Sequence, residues 1–462
     1  MVIQKSVKIF KQYQTFFVFF LIFGLSLFLF YPSLNYYFFQ DDWFVLNWIR
    51  TGDFLSFFKF RTDIIYWRPL SMPLFFALSE RLFGLNSLGY HLIVFLLHFL
   101  NVVLIGYITY KLIGDKKTAV ISSFLYATAA FQFMPLSWLS LTWNIVGLFF
   151  FLLSFIFYMR FKEKKSITSL LMTFILFLLA LFSFEFAIVF PVLILLYEYL
   201  SDEKFNKNLS KSIPVVLPIL FVIVTYLFLR FVLYPVPSQG QYTISIGPDV
   251  LKNLLFYGLW LFNIPEELKY QIVVLRFYIT PNLLRAAENF LVPIVLLFFL
   301  NVFSLIIIVI YTLDKKIKKF LFSAIVFFII GLSPILFLPK HTFPYYLAVP
   351  SILVFIFCGL VVASYMKKFQ NKKKMVVSYI FIISWLSLSF LTITLTRKIH
   401  WVSGEQSISK NTVEKVLSEY PNLPDSKTIV ITGSNDQLKQ SLMDQDALKV
   451  IYNSDEVQTI YR

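Results

Sequence analysis

The chain has 462 residues, of which 58% are hydrophobic and 14% are charged, and its net charge is +16. A soluble domain is about half apolar and a quarter charged, so this composition, with a mean hydropathy of +0.76, predicts a polytopic membrane protein. The one cysteine, Cys358, lies in an apolar run and predicts a small buried side chain. It excludes an internal disulfide and a zinc site built from cysteines.

Eleven apolar stretches are long enough, or nearly long enough, to cross a bilayer, for which a helix needs about 20 residues. The third, fifth and sixth are short. Lys5, Lys8 and Lys11 precede the first stretch as in a signal peptide, but YPSLNYYFF offers no small-residue cleavage site, which predicts a retained helix. The predicted spans are 15–34, 88–110, 118–134, 138–159, 166–183, 186–201, 212–234, 289–312, 320–338, 345–366 and 375–395.

The distribution of lysine and arginine predicts the orientation of these spans. If the N-terminus is cytoplasmic, the inner segments carry the whole net charge of +16 and the outer segments sum to zero. The loops KKIKK and KKFQNKKK then face the cytoplasm and anionic lipid. The basic balance therefore requires no nucleic acid partner. We expect a multi-pass protein of the cell membrane with a cytoplasmic N-terminus and an extracytoplasmic C-terminus.

Two long outer loops, 35–87 and 235–288, interrupt the helices of a membrane domain that spans 1–395. One loop contains LSMPLFFALSERLFG, and the other contains LKNLLFYGLWLF. Apolar residues recur at helical spacing in LSMPLFFALSERLFG, and LKNLLFYGLWLF has a similar pattern. Both segments therefore predict helices that lie in the membrane interface.

Residues 396–462 change in character and predict a small extracytoplasmic α/β tail. NTVEKVLSEY begins with the cap candidate Asn411 and has Glu414 three residues later, which is typical of a helix start. KTIVITGS and LKVIY indicate strands, and NDQLKQSLM indicates a second helix. Because so small a unit has a marginal core, we expect it to pack on the outer face of the membrane domain.

Two adjacent carboxylates, Asp41 and Asp42, follow the first span in the motif QDDW. One explanation is a helix-flanking acidic pair or a cap for the next helix. Two neighbouring carboxylates ionise together at low cost only near a cation or a hydrogen-bond donor. Such a pair is suited to proton abstraction, with one group as base and the other orienting a hydroxyl or a metal. Both are therefore candidate catalytic residues.

Two further candidates lie downstream, in the first loop and in the second span. Arg68, in YWRPLSMPLFF, is the candidate cation, because a guanidinium binds phosphate through two parallel hydrogen bonds. The alternative is an interfacial arginine that reaches lipid headgroups. His91 and His98 share one face of the second span but lie too far apart to bind one metal ion. His91 is a candidate substrate contact, whereas His98 with Asn101 indicates an interhelical contact.

Glu185 lies between two phenylalanines at a turn that this orientation places outside, where it pairs with Arg68 or contacts a ligand. LPKHTFPYY adds His341 and Tyr345 on the same side; the alternative for this segment is a polar loop with interfacial tyrosines. The convergence of polar groups from separate segments on one face is more informative than any single residue. It indicates a substrate-binding site at the outer boundary.

Three motifs occur together in this chain: QDDW, then YWRPLSMPLFFALSERLFGLNSLGYHLIVFLLHFLN, then SFEFAIVFPVLILLYEYL. On these motifs, which cover roughly residues 30–200, the chain resembles the GT-C membrane glycosyltransferases. These include the protein O-mannosyltransferases and the lipid A aminoarabinose transferases. The chain is most similar to the branch that carries tetratricopeptide repeats in animals, but no repeats follow, and LPKHTFPYY lacks the arginine expected near its tyrosine.

The resemblance implies an all-α GT-C-like membrane fold with an outward-facing site and a polyprenyl-phosphate-linked sugar as donor. It also implies that Asp41 is the base and Asp42 its partner acid. The predicted function is inverting sugar transfer to a hydroxyl of a glycan, lipid or protein acceptor, with Arg68 stabilising the leaving phosphate. The substrate-binding residues would then be Arg68, His91, Glu185, His341 and Tyr345.

The sequence alone does not decide whether a cofactor is bound, and it leaves two alternative functions. No cofactor is indicated with certainty, and a divalent metal could bind through Asp41, Asp42 or Glu185. A transporter or flippase of lipid-linked saccharides would need polar residues on both faces and at the midplane, whereas here they gather outside. A non-catalytic binder of lipid-linked saccharides is the second alternative.

Overall fold

The computed structural model describes residues 2–61, 64, 66–201, 205–233, 240–273, 276–277, 281–369, 371–433 and 436–462. The helices of the first half are α1 (Val2–Phe30), α2 (Asp41–Thr51), α3 (Phe75–Phe83), α4 (Ser87–Ile113), α5 (Lys116–Ala127), α6 (Phe133–Ser137), α7 (Thr142–Lys164), α8 (Ile167–Leu181), α9 (Phe190–Ser201) and α10 (Phe205–Leu233). The helices of the second half are α11 (Pro248–Leu261), α12 (Pro281–Thr312), α13 (Lys315–Leu336), α14 (Ser351–Lys368), α15 (Lys372–Ile399), α16 (Trp401–Glu419), α17 (Asp436–Ser441) and α18 (Asp446–Tyr452). The strands are β1 (Ile272–Val273), β2 (Arg276–Phe277), β3 (Thr428–Ile431) and β4 (Gln458–Tyr461).

Within the described part of the chain, eight helices are long and apolar enough to cross a membrane, and α5 with the following helical segment makes a ninth if this bent pair is one span. The all-helical polytopic class is therefore confirmed, but the predicted count of eleven is not. The difference lies in the three stretches that are short in the sequence. The third is the pair bent by 51°, the fifth is α8 with 15 residues, and the sixth is α9 with 12 residues. At 1.5 Å per residue, α8 reaches about 22 Å, less than the roughly 30 Å of a hydrocarbon core.

Acidic side chains cap the helices that follow two of the basic loops. Asp115 accepts a hydrogen bond from Thr118 N at the start of α5, and Asp314 accepts one from Ile317 N at the start of α13. Gly114, with φ of 78°, ends α4 in the left-handed conformation that glycine adopts at low cost. The carboxylates of these loops therefore cap helices, and the lysines give the loops their positive charge.

Glycines allow α5 to pack closely against its neighbours in the core. A Cβ atom at Gly106 of α4 would meet Phe19 and Ser123 at 2.6 Å, and one at Gly359 of α14 would collide with Ser122. Small residues at such contacts let helix backbones approach each other in a membrane. His98 and Asn101 make the expected interhelical contacts, with Ser26 and with the carbonyl of Ile145 respectively.

Both loop segments that the sequence predicts as helices are helical. LSMPLFFALSERLFG begins as a π-helical turn, Leu70–Leu74, and continues as α3, whereas LKNLLFYGLWLF lies in α11. On α3, Phe76 is buried and Leu78 and Leu82 are exposed. The first long loop is thus largely structured, and α2 and α3 bring its polar residues to fixed positions.

The tail has the predicted α/β character, with two corrections. The predicted helix NTVEKVLSEY lies in α16, TIVI forms β3, and DQLKQS forms α17. However, α16 begins ten residues earlier, at Trp401 with His400 as its N-cap, so Asn411 lies inside the helix and is not a cap. LKVIY, predicted as a strand, lies instead in α18, and the second strand is β4, which pairs in parallel with β3. The run of β-branched residues misled the prediction, because the buried Ala447, Leu448 and Val450 have the spacing of a helix face. The domain boundary at residue 395 stays a prediction.

The tail packs against the segment that follows the first span, residues 36–43, which we call the Asp41 segment, and against the rest of α2. Asn47 of α2 donates a hydrogen bond to Asp446 at 2.8 Å, and Arg50 donates one to the carbonyl of Val450. Among the described residues, five hydrogen bonds bind the Asp41 segment along α16 and α17. They are Tyr36 hydroxyl with Ser403 (2.8 Å), Tyr37 N to Gln406 (3.3 Å), Ser409 Oγ to Phe38 O (2.7 Å), Trp43 Nε1 to Ser409 (2.9 Å) and Gln40 N to Ser441 O (2.9 Å).

Candidate active site

A cavity of about 570 Å³ lies where the first long loop, the segment between α6 and α7, the segment before α14 and the tail meet. The structure brings five of the predicted site residues to its wall, whereas the other two lie behind it. The five are Asp41, Arg68, Glu185, His341 and Tyr345.

Asp41 is the first residue of α2 and lines the cavity. Among the residues that the structure describes, its carboxylate has neither a hydrogen-bond partner nor an ion-pair partner. Burial raises the pKa of Asp41 to about 6, and the charge of Arg68 opposes that rise. A carboxylate with a pKa near neutrality and without a partner is suited to accept a proton from a substrate.

Gln40, the residue before Asp41, has φ of 49°, a conformation that non-glycine residues rarely adopt. Its N–H donates to the carbonyl of Ser441, and its own carbonyl accepts a hydrogen bond from Trp43 N, both at 2.9 Å. These bonds hold the sharp turn that starts α2 at Asp41. The turn also places the carboxylate in the first turn of a helix, where the backbone dipole favours negative charge.

Asp42 is fully buried behind the cavity wall. One carboxylate oxygen accepts hydrogen bonds from Ser140 N at 2.7 Å and Ser140 Oγ at 2.6 Å, and the other accepts one from Phe39 N at 3.2 Å. Burial raises the pKa of Asp42 to about 8, against the opposing effect of these three donors. Asp42 thus ties the Asp41 segment to the segment between α6 and α7, and it does not reach the cavity.

Arg68 and Glu185 form a bidentate ion pair in the cavity wall, which is the pairing that the sequence offered for Glu185. Arg68 Nη2 lies 2.9 Å from Glu185 Oε2, and Nε lies 2.9 and 3.0 Å from the two carboxylate oxygens. The guanidinium stacks over the ring of Trp143 at 3.9 Å and lies 4.7 Å from that of Tyr66. The plane and position of the cation are therefore fixed.

Aromatic and phenolic groups surround this ion pair. His341 Nε2 lies 2.8 Å from the hydroxyl of Tyr346, whose ring centroid is 4.5 Å from that of Tyr345. Burial, with help from the charges of Arg68 and Lys269, lowers the pKa of His341 to about 4. The imidazole is therefore neutral at neutral pH, so it offers a hydrogen bond rather than a charge.

The structure does not place His91 at the cavity. This residue is buried in α4, and its Nε2 lies 3.2 Å from the carbonyl of Tyr36. It therefore connects α4 to the Asp41 segment, and the predicted contact between His91 and substrate finds no support in its position.

The three carboxylates considered for a divalent metal do not form a metal site. The oxygens of Asp42 are taken up by Ser140 and Phe39, and those of Glu185 by Arg68. Across the described ranges, no group of three or more His, Cys, Asp or Glu side chains could hold a metal ion. The carboxylates present therefore do not fit such an ion.

Several residues of the cavity wall are missing from the sequence predictions. The motif SWLSLTWN contributes Trp138, Ser140 and Trp143, and its polar and indole groups at a break in the apolar pattern are a signal that could have identified them. Nothing in the local sequence marks the others. These are Tyr66, Arg230, Tyr242, Trp401 and Gln440.

Comparison with known proteins finds one family model, described as dolichyl-phosphate-mannose-protein mannosyltransferase, which matches residues 67–229. No curated protein matches the chain. Three solved structures are similar to it. The archaeal oligosaccharyltransferase AglB from Archaeoglobus fulgidus, in complex with an inhibitory peptide and a dolichol-phosphate, has 15% identity and a TM-score of 0.51, and the match covers 98% of this chain and 65% of that chain. An Archaeoglobus fulgidus oligosaccharyltransferase in complex with Zn and sulfate has 16% identity and a TM-score of 0.51, with coverages of 96% and 62%. ArnT from Cupriavidus metallidurans bound to undecaprenyl phosphate has 12% identity and a TM-score of 0.50, with coverages of 96% and 89%.

These similarities concern the fold. The chain spans 65% and 62% of the two oligosaccharyltransferase chains and 89% of the ArnT chain. At 12 to 16% identity the likeness shows a shared architecture, and it confirms the fold that the sequence resemblance predicted.

Proposed function

We propose that this chain, a membrane glycosyltransferase of the GT-C superfamily, transfers a sugar from a polyprenyl-phosphate donor to an acceptor hydroxyl. The observation that carries this proposal is the carboxylate of Asp41, which has no partner among the described residues and lies in the same cavity as the fixed guanidinium of Arg68. The family match at residues 67–229 supports it. So do the lipid carriers in the similar structures, dolichol-phosphate for AglB and undecaprenyl phosphate for ArnT.

In this proposal Asp41 is the general base. With a pKa of about 6 it is mostly ionised at neutral pH and accepts the proton of the acceptor hydroxyl. The acceptor oxygen attacks the anomeric carbon on the side opposite the lipid phosphate. The bond between the anomeric carbon and the phosphate oxygen breaks, its electron pair stays on the phosphate, and the anomeric configuration inverts.

Arg68 stabilises the negative charge that develops on the leaving phosphate. A cation held in place before the reaction stabilises such charge without reorganisation. Glu185 holds Nε and Nη2 of the guanidinium, and Trp143 packs against its face, so both act as positioning residues. The neutral pair of His341 and Tyr346 adds hydrogen-bonding groups beside Arg68.

Asp42 acts in this proposal as a positioning residue, because it touches Ser140 and Phe39 rather than the cavity. Its role is to keep the Asp41 segment against the segment between α6 and α7. The sequence prediction of a catalytic pair thus becomes a proposal of one base and one residue that positions it.

The cavity would open on the extracytoplasmic side, because the basic loops then face the cytoplasm. Single cysteines at the exposed positions Asn86, Lys117 and Asp455, in a Cys358→Ala background, test this orientation with an impermeant thiol reagent. Asn86→Cys and Asp455→Cys should react in intact cells, and Lys117→Cys only after permeabilisation. The reverse pattern would refute the orientation.

The function is tested with the purified chain in nanodiscs, supplied with polyprenyl-phosphate sugars and with saccharide, peptide or lipid acceptors. We expect release of polyprenyl phosphate and a glycosylated acceptor, both measured by mass spectrometry. Donor binding without turnover across all acceptors would favour the non-catalytic binder. Movement of intact donor between leaflets without cleavage would favour the flippase.

A further inference from the structure

The tail contributes two residues to the cavity wall. Trp401, the first residue of α16, contacts the ring of Trp138 edge-on at a centroid distance of 5.1 Å. Gln440 of α17 lies at the rim, next to Ser441, whose carbonyl accepts the hydrogen bond of Gln40 N. Both tail residues therefore lie on the side of Asp41 where Gln40 and Trp138 are found.

The cavity wall has two chemically different sides, and Asp41 adjoins a residue of each, since it interacts with the charge of Arg68 and follows Gln40 in the chain. On one side Asp41 interacts electrostatically with Arg68 and Tyr66, beside the ion pair with Glu185. On the other side it adjoins Gln40, and the wall consists of two carboxamides and two indoles. The four residues of this amide–indole side are Gln40, Trp138, Trp401 and Gln440.

Gln40 is the most informative member of the amide–indole side. Its side chain is 7% exposed and lines the cavity, yet among the described residues its carboxamide has no hydrogen-bond partner. A strained backbone places this carboxamide in the cavity wall beside the proposed base, where a bound molecule can supply its hydrogen bonds.

We propose that the amide–indole side is the acceptor subsite and that the acceptor is a neutral saccharide. This inference rests on the proposed function. A carboxamide both donates and accepts hydrogen bonds, which matches the two roles of a sugar hydroxyl. An indole ring offers a flat apolar surface to the C–H face of a pyranose while its N–H stays available for a polar contact.

The charge distribution assigns the two substrates to the two sides. The phosphate of the donor belongs beside Arg68, whereas a neutral acceptor belongs where the wall is uncharged. Asp41 then meets the acceptor hydroxyl at the boundary and takes its proton as the oxygen bonds to the anomeric carbon and the polyprenyl phosphate departs.

The experiment compares three acceptor classes with the full chain in nanodiscs: neutral trisaccharides, a serine- and threonine-containing peptide, and an anionic glycolipid. We expect transfer to a trisaccharide. Gln440→Ala should raise the KM for this acceptor about 10-fold, as expected for one lost hydrogen bond, and leave the KM for the donor unchanged. The matched control is Gln458→Ala, an exposed glutamine of β4 outside the cavity.

The outcomes separate this inference from the proposed function. Transfer to the peptide or the glycolipid but not to any trisaccharide would overturn the neutral-saccharide acceptor and keep the glycosyltransferase. Equal effects of Gln440→Ala and Gln458→Ala would overturn the subsite. Absence of donor cleavage with all three acceptors would contradict the proposed function itself.

A second measurement does not depend on turnover. Titration with mannotriose or maltotriose should change the tryptophan fluorescence of the wild type, and Trp401→Phe should weaken this response and raise the apparent Kd several-fold. Trp48→Phe, away from the cavity wall, is the control. If neither trisaccharide binds or accepts sugar, the inference is wrong.

Discussion

Two ion pairs near opposite ends of α9 show how a charge in the proposed site differs from a charge in the core. Just before α9, Glu185 pairs with Arg68 in the wall of the cavity. Within α9, Glu198 is 1% exposed and pairs with Lys162 of α7 at 2.9 Å. Both glutamates lie in the same sequence motif and both pair with a cation, so the presence of an ion pair alone does not tell them apart.

The difference lies in the surroundings of the two pairs. Glu198 also accepts a hydrogen bond from the Tyr158 hydroxyl, which contacts Ser212 at 2.9 Å, so α7, α9 and α10 are joined by one closed network. The pair of Glu185 and Arg68 instead borders the cavity of Asp41, whose carboxylate has no partner within the described ranges. A charge with all its partners inside the protein indicates stability, and a charge beside an open site indicates function.

The largest effect is expected for Asp41→Asn. Asparagine keeps the volume of the side chain but cannot act as a base, so the transfer rate should fall about 10²–10⁴-fold. Folded yield should be unchanged, because the carboxylate has no partner among the described residues. Release of polyprenyl phosphate measures the rate, and Asp425→Asn, at an exposed site in the tail, is the control. Full activity of folded Asp41→Asn would remove Asp41 as the base.

Breaking the two ion pairs should give opposite results. Glu198→Ala leaves Lys162 buried without its carboxylate, so the free energy of unfolding should fall by about 3–5 kcal/mol. Glu185→Ala should lower activity more than stability, because Arg68 keeps its contact with Trp143. The test measures thermal unfolding in detergent and donor turnover for both variants. If Glu185→Ala destabilises the protein more than Glu198→Ala does, the distinction between the two ion pairs is wrong.

Arg68→Lys should have a smaller effect, confined to the donor. Lysine keeps the charge but loses the planar, bidentate geometry and the stacking on Trp143, so the KM for the donor should rise about 10-fold. The KM for the acceptor should not change. Initial rates at varied donor and acceptor concentrations separate the two constants, and equal changes in both would argue against a phosphate site at Arg68.

The smallest effect is the pH dependence. Because Asp41 must be ionised to act as base, and burial raises its pKa to about 6, activity should be present above that pH and fall about tenfold per unit below it. Arg68→Gln should move the loss of activity to higher pH, because the charge of Arg68 opposes the rise of the Asp41 pKa. A profile of kcat/KM between about pH 5 and pH 8 gives both values. A flat profile down to pH 5 would contradict a base with this pKa.

The sequence predicted those parts of the fold and the site that depend on the free energy of transferring residues from water to the membrane. Apolar length identified eight of the eleven predicted spans among the described residues. The cost of placing charge near a membrane pointed to Asp41, Arg68 and Glu185, and the structure brings these three residues to one cavity wall. The sequence could not separate Asp41 from Asp42, because successive helix residues point about 100° apart and only packing determines which one reaches the cavity.

Neutral residues escaped the prediction for a related reason. Trp401 and Gln440 are uncharged and have little energetic penalty at any exposed position. The local sequence therefore does not indicate that they line the cavity. Their position depends on contacts between residues that are far apart in the chain, such as Gln40 with Ser441. The strand predicted at LKVIY failed likewise, because β-branched residues fit a helix when its face packs on α2.

The hydrogen bonds between the Asp41 segment and the tail can form only after the end of the chain has been synthesised. The Asp41 segment leaves the ribosome early, but its partners in α16 and α17 follow hundreds of residues later. A nascent chain that ends at α15 has every candidate spanning helix found among the described residues, yet it lacks the bonds that hold Gln40 in its strained turn. If the proposed function is correct, we therefore expect a chain that terminates before Ser441 to insert into the membrane without transferring sugar.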